Sequence, residues 1–220
     1  MRTADADLPT APVFDHTFVA QLAELFKWRR DVRHFRREPV PPDLLNWLLE
    51  TANLAPSVGL SQPWRFVTVD DLARRVAVRA SFEACNASAL ASQGPDHAAR
   101  YARLKLAGLD EAPCQFAVFA EPNPHQGCGL GRRTMPETAA YSAVMAIHTL
   151  WLAARAANLG LGWVSILNPE TIATALEVPT DWTFIGYFCL GYPQTEDETP
   201  ELERLEWEVR QPAKTAVIRR

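Results

Sequence analysis

The chain has 220 residues, 48% of them hydrophobic, with 22 Lys and Arg against 26 Asp and Glu and a net charge of −4. That length suits one large domain or two small ones and is ample for a sizeable core, and the mild acidity excludes a nucleic-acid footprint or a polybasic membrane surface. No apolar run reaches the ~18 residues of a membrane span. The N-terminus lacks a charged region followed by an apolar one, and Cys85, Cys114, Cys128 and Cys189 include no Cys-x-x-Cys pair. A cytoplasmic protein with reduced thiols and no metal centre is therefore expected.

Residues 1–14 read as a loose arm. A helix follows over Phe18 to Trp28, with Asp15 or Thr17 as its cap, and then the run Arg29-Arg30-Asp31-Val32-Arg33-His34-Phe35. Pro42 opens a second helix, whose Leu44, Leu45, Leu48, Leu49 and Ala52 form a stripe at helical spacing. Trp64 to Val69 is rich in aromatic and β-branched residues and predicts a strand. Asp70-Asp71 starts a mostly helical, alanine-rich stretch to Gly108, broken near Gly94-Pro95. Pro113 to Ala120 predicts a second strand, and Glu121 to Gly131 a Pro/Gly loop. The helix predicted over Thr138 to Asn158 is apolar on nearly every side, so it belongs inside the protein or at a subunit interface. Gly160 is placed as its C-cap. Strands are expected at Trp163 to Leu167 and Phe184 to Gly191, with a short helix at Thr171 to Leu176 between them. Helices and strands do not alternate evenly, so a regular doubly wound sheet is not supported. Gly127-Cys128-Gly129-Leu130-Gly131 follows a Pro loop rather than a strand, unlike a dinucleotide fingerprint.

In an extended segment Arg29, Asp31 and Arg33 share a face. Two guanidiniums so placed make a forked anion site suited to phosphate. A carboxylate between them suggests an acceptor or base held beside a phosphorylated ligand, and the two arginines are expected to lower its pKa. A solvated basic turn paired with Glu24 or Glu38 is the alternative. Ala55-Pro56-Ser57-Val58-Gly59-Leu60-Ser61-Gln62-Pro63-Trp64 joins a helix to a strand, with Pro and Gly to pin it and Ser and Gln to bond; it also fits a plain turn. Ser165, in an apolar strand, needs a hydrogen-bond partner, either neighbouring backbone or a ligand.

These segments resemble the nitroreductase-like flavoproteins over roughly residues 15 to 212. Their flavin-phosphate motif usually reads Arg-Arg-Ser-x-Arg-x-Phe; here Asp31 stands at the Ser position, as in the 5,6-dimethylbenzimidazole synthase branch. Their Pro-Ser-x-x-Asn-x-Gln-Pro-Trp loop lines the flavin, but this chain has Leu60 at the Asn position. Gly162-Trp163-Val164-Ser165 resembles the segment that the synthase branch sets against the flavin ring. Ala99 to Gly108, with Tyr101 and Lys105, resembles a helical lid around residues 80–110. Trp207-Glu208-Val209-Arg210-Gln211-Pro212 is similar to the closing motif whose arginine joins the phosphate site. Nothing is carried over from Ala213 onward, and 213–220 is read as a tail.

The resemblance implies an α+β fold of one domain over 15–212, with a central mixed, mainly antiparallel sheet flanked by helices. It implies a homodimer with FMN at the subunit interface. It further implies that Arg29, Arg30, Asp31, Val32, Arg33, Ser57, Gly59, Tyr101, Lys105, Ser165 and Arg210 contact the flavin, with Asp31 and Ser165 catalytic. The reaction implied is oxygen-dependent fragmentation of FMNH2, which a separate flavin reductase supplies, to 5,6-dimethylbenzimidazole and erythrose 4-phosphate. The alternatives are an NAD(P)H-dependent FMN nitro- or quinone reductase, against which Leu60 and the lid argue, and a non-catalytic flavin-binding protein.

Overall fold

Local signals set most helix starts. Asp15 accepts the Phe18 N–H at 2.8 Å, Asp71 the Arg74 N–H at 2.9 Å and Asn168 the Thr171 N–H at 2.8 Å, each satisfying a donor that the helix itself leaves unpaired. Pro42 occupies the first turn of its helix, as expected. The structure is a computed structural model and describes residues 11–92, 107–212 and 216–218. Its elements in chain order are α1 (His16–Trp28), α2 (Pro42–Ala52), a 3-10 turn (Val58–Leu60), β1 (Trp64–Thr68), α3 (Leu72–Ala91), α4 (Gly108–Glu111), β2 (Cys114–Ala120), α5 (Thr138–Ala156), β3 (Gly160–Val164), α6 (Pro169–Ala175), β4 (Thr183–Gly191) and α7 (Glu201–Arg204).

The strands form one antiparallel sheet in the order β1-β2-β4-β3. Side-chain alternation along β2 and β4 supplies both faces of the core. Phe116, Val118, Phe188 and Leu190 pack with Leu48 and Ala52 of α2 and Ile147, Leu150 and Ala154 of α5. Ala117, Phe119, Tyr187 and Cys189 pack on the opposite face with Val78 of α3, Ile172 of α6 and Phe35. Helices thus cover both faces, a layered α+β arrangement, and each of the large buried side chains contributes about 1.5–3 kcal/mol. Among the described residues no helix is long and apolar enough to cross a membrane.

Two expectations near β3 are corrected. α5 ends at Ala156, and Asn158 takes the left-handed conformation at φ +60°, so Gly160 is not a helix cap but the first residue of β3. The strand therefore lies three residues earlier than its apolar pattern predicts, and Ser165 falls just beyond its end. The apolar surround of α5 resolves into two faces. Ala139, Ala143, Ala146, Ile147, Leu150 and Ala154 are buried, whereas Tyr141, Val144 and Met145 are exposed.

Candidate functional site

The arginine segment is extended, as its spacing predicts, and adds itself to the open edge of β3. Asp31 pairs with Leu161 in a parallel bridge and Phe35 with Pro193 in an antiparallel one. The Val32 N–H donates to the Leu161 carbonyl at 3.0 Å. The next edge donor, the Trp163 N–H, is taken by the Asp31 carboxylate at 2.9 Å instead of by backbone. Two glycines permit this docking. A Cβ on Gly162 would lie 2.1 Å from the Val32 carbonyl oxygen, and one on Gly160 would lie 2.6 Å from the Val32 side chain. The Gly-x-Gly pair is thus a site of close backbone approach, a role that glycine inside a strand can signal in sequence. At the far end of the segment, Glu111 accepts the Phe35 N–H at 3.1 Å and a Gln194 amide N–H at 3.3 Å.

Charge is arranged differently from a simple fork of Arg29 and Arg33. Arg29 lies over the Trp151 ring, 5.0 Å from its centroid, and the Trp151 indole N–H donates to the Arg30 carbonyl at 3.0 Å. Burial and the neighbouring Arg210 both push the Arg29 pKa down, with Asp31 opposing. Burial, Arg210 and Arg29 do the same to Arg30, opposed by Asp197 and Glu198. Arg29, Arg30 and Arg210 are therefore a cluster of mutually repelling guanidiniums, all of which remain charged. Arg30 donates to the Arg29 carbonyl at 2.6 Å and to the Glu198 carbonyl, while its buried Nε has no partner among the described residues. Repelling cations with an unsatisfied buried donor fit a dianionic phosphate. The donor set therefore suits the phosphate of FMN.

Arg33 turns to Asp31, with Nε 3.5 Å from Oδ2. The expectation that the arginines depress the Asp31 pKa is overturned. Burial dominates and raises it, Glu201 adds to the rise, and the Trp163 N–H and Arg33 only partly counter it. The carboxylate nevertheless keeps 38% of its side-chain area open, toward a groove shared with Arg33, Thr195, Thr199 and Glu201. Oδ1 is anchored on β3, which leaves Oδ2, beside Arg33, as the oxygen able to work.

Ser165 is exposed, not buried in a strand, and its hydroxyl makes no hydrogen bond among the described residues. It lies two residues beyond Trp163, the anchor of Asp31. Ser57 and Gly59 sit elsewhere. The Ser57 hydroxyl accepts the Gln62 N–H at 3.1 Å, and the neighbouring Val58 N–H donates to Ser142 at 3.0 Å. Ser142 and Trp151 are on one helix, nine residues apart, or roughly 13 Å along its axis. Within one chain the Ser57 loop and the arginine segment thus dock on opposite halves of α5. Tyr101 and Lys105 lie outside the described residues. Trp151 and Glu111 were not anticipated. Nothing local in the sequence marks either, because their roles arise from contacts with distant segments.

A family model described as the nitroreductase family matches residues 26–192. The chain is 57% identical over 203 residues to a 5,6-dimethylbenzimidazole synthase of Rhodospirillum rubrum, covering 92% of this chain and 96% of that protein. It is 47% identical to one of Rhodobacter capsulatus, covering 89% and 94%. Among solved structures it is similar to an iodotyrosine deiodinase bound to FMN and 3-iodo-L-tyrosine, with a TM-score of 0.68, 24% identity, and coverage of 80% of this chain and 91% of that one.

Proposed function

The chain belongs to the nitroreductase family, and from that membership we propose that it is a 5,6-dimethylbenzimidazole synthase. It takes FMNH2 and dioxygen and forms 5,6-dimethylbenzimidazole and erythrose 4-phosphate, with the flavin consumed as substrate. The observation that carries this reading is Asp31: a carboxylate fixed to the Trp163 N–H, open to a groove, and set beside a cluster of arginines. Phosphate binding alone does not call for a negative charge there.

Arg29, Arg30 and Arg210 hold the phosphate. Reduced flavin, when bound, supplies the electrons that dioxygen takes up. Asp31 Oδ2 accepts a proton from the ribityl chain, and the raised pKa brings this carboxylate closer to a useful base than an ordinary aspartate. Ser165, whose hydroxyl has no partner among the described residues, bonds the polar edge of the ring, and Ser57 and Gly59 line it. By the same resemblance Tyr101 and Lys105 belong to a lid that keeps water out. The working form is a homodimer, supported by the exposed stripe of Tyr141, Val144 and Met145 on the helix that carries both site segments. A second copy sets its Ser57 loop against the arginine segment of the first. A separate flavin reductase delivers FMNH2 in the cytoplasm.

The test supplies FMNH2 anaerobically, admits air and chromatographs the products, beside an assay of NAD(P)H oxidation. Dimethylbenzimidazole formed without NAD(P)H is the expected result. NAD(P)H turnover without it would make the chain a reductase, and flavin binding with neither would make it a carrier.

A further inference from the structure

The loop between α2 and β1 has an unusual backbone. Gly59, Leu60 and Gln62 all have positive φ, at +55°, +53° and +42°. The left-handed region is uncommon for residues other than glycine, and it persists where surrounding structure over-determines it. Here the surround is the Pro/Gly loop before α5. Gln126 donates from its amide to the Leu60 carbonyl at 2.5 Å and to the Gln62 side chain at 3.1 Å. Gly127, at φ +80°, lies so close that a Cβ on it would stand 2.6 Å from the Gly59 carbonyl oxygen. One on Gly59 would stand 2.9 Å from the Leu130 carbonyl oxygen. The glycine-rich run thus serves as a mould for the Ser57 loop.

One buried side chain gathers the first half of the mould. Arg132 is 9% exposed. It donates to the Pro122 carbonyl at 2.8 Å, the Pro124 carbonyl at 3.0 Å and the Gln126 carbonyl at 3.4 Å. It has no carboxylate within 4 Å among the described residues; its two terminal nitrogens donate to loop backbone, while its buried Nε has no partner among them. Burying a cation without a counter-ion is costly, and its forked donors gather three carbonyls that lysine's single ammonium cannot match.

We infer that Arg132 is a positioning residue for the flavin: it fixes the 122–131 loop, which in turn imposes the left-handed conformation on the loop carrying Ser57 and Gly59. The inference rests on the proposed flavin site and extends it to a residue that does not touch the ligand. Arg132 sets the shape of the ring-lining loop, not the phosphate site. Its removal therefore weakens FMN and riboflavin alike, whereas loss of a phosphate arginine weakens FMN selectively.

The experiment titrates wild type, Arg132→Met and Gln126→Ala with FMN and with riboflavin by flavin fluorescence. It also follows amide hydrogen exchange of the ligand-free proteins across residues 57–62. Arg132→Met is expected to raise both dissociation constants by about tenfold, to keep the FMN-to-riboflavin ratio of wild type, and to speed exchange in 57–62. Gln126→Ala, which disturbs no buried charge, shifts both in the same direction by about threefold. It decides the matter alone if Arg132→Met does not fold. Wild-type affinity and wild-type exchange in whichever variants fold, even with lowered thermal stability, would overturn the inference. Failure of the wild-type protein to bind FMN would instead overturn the flavin site itself.

Discussion

The arginine segment and the Ser57 loop reach their shapes by opposite means. The segment is ordinary extended backbone, placed by pairing with the edge of β3 and by one carboxylate that substitutes for a ladder carbonyl. Its distinctive property is electrostatic: repelling guanidiniums stand beside a carboxylate whose pKa burial raises. The Ser57 loop carries little charge, and its distinctive property is conformational, three left-handed residues held by another loop. One region stores its specificity in charge and the other in shape, so substitutions in the two should fail differently.

The largest expected effect separates chemistry from binding within the segment. Asp31→Asn keeps an oxygen to accept the Trp163 N–H and removes the proposed base. FMN should still bind, while dimethylbenzimidazole per flavin oxidised, measured by chromatography, falls by about a hundredfold or more. The same variant tests the pKa direction. Because burial raises the folded-state value above the ordinary 3.8, ionised Asp31 costs the fold stability at pH above that raised value, and the cost vanishes below about 3.8. Asp31→Asn should therefore match or exceed the wild-type Tm at neutral pH, with the gap closing as pH falls toward 4. The acid limb of wild-type product formation should lie above the usual aspartate range. A wild-type yield from Asp31→Asn would reduce the residue to a structural partner of Trp163 and Arg33.

Arg29→Ala probes the charge side of the comparison. A charge-assisted bond contributes about 1.5–3 kcal/mol, so FMN affinity should drop by roughly tenfold or more while riboflavin, lacking the phosphate, loses far less. Equal losses for both would place the phosphate elsewhere and erase the contrast with Arg132. Gly162→Ala attacks the docking of the segment. Its Cβ, 2.1 Å from the Val32 carbonyl oxygen, forces the segment off β3, with an expected cost of about 1–3 kcal/mol in denaturant unfolding. The hydrogen exchange of residues 57–62 should stay as in wild type, since that loop rests on the other half of α5. The smallest effect belongs to Ser165→Ala. Loss of an exposed hydroxyl without a partner among the described residues should change stability by less than about 0.5 kcal/mol, yet product formation should slow. A variant that loses stability and turns over normally would assign Ser165 a structural role.

Much of this architecture was legible beforehand. Asp15, Pro42 and Asp71 mark helix starts through local chemistry that survives any tertiary context, and β1 announces itself by its aromatic and β-branched residues. The errors cluster at β3. There Gly160-Leu161-Gly162 looks like a helix stop followed by a strand. Only the neighbouring segment reveals that the glycines leave room for Val32. The role of the glycine-rich run at 127–131 was similarly hidden, because its partner, the Gly59 loop, is distant in sequence.

The residue types at the site, and the family they indicate, were determined by the sequence alone: local order along one strand of chain suffices to recognise Arg29 to Phe35, Ser57 to Trp64 and the Asp31 variant. The balance of energies at each residue was decided by the tertiary structure. Adjacent opposite charges suggested an acidified Asp31, but the sheet edge buries it and burial outweighs Arg33. An apolar surround suggested a buried Ser165, but the strand ends one residue too soon. Desolvation and close backbone approach depend on which distant segments meet, and no spacing within a segment encodes that.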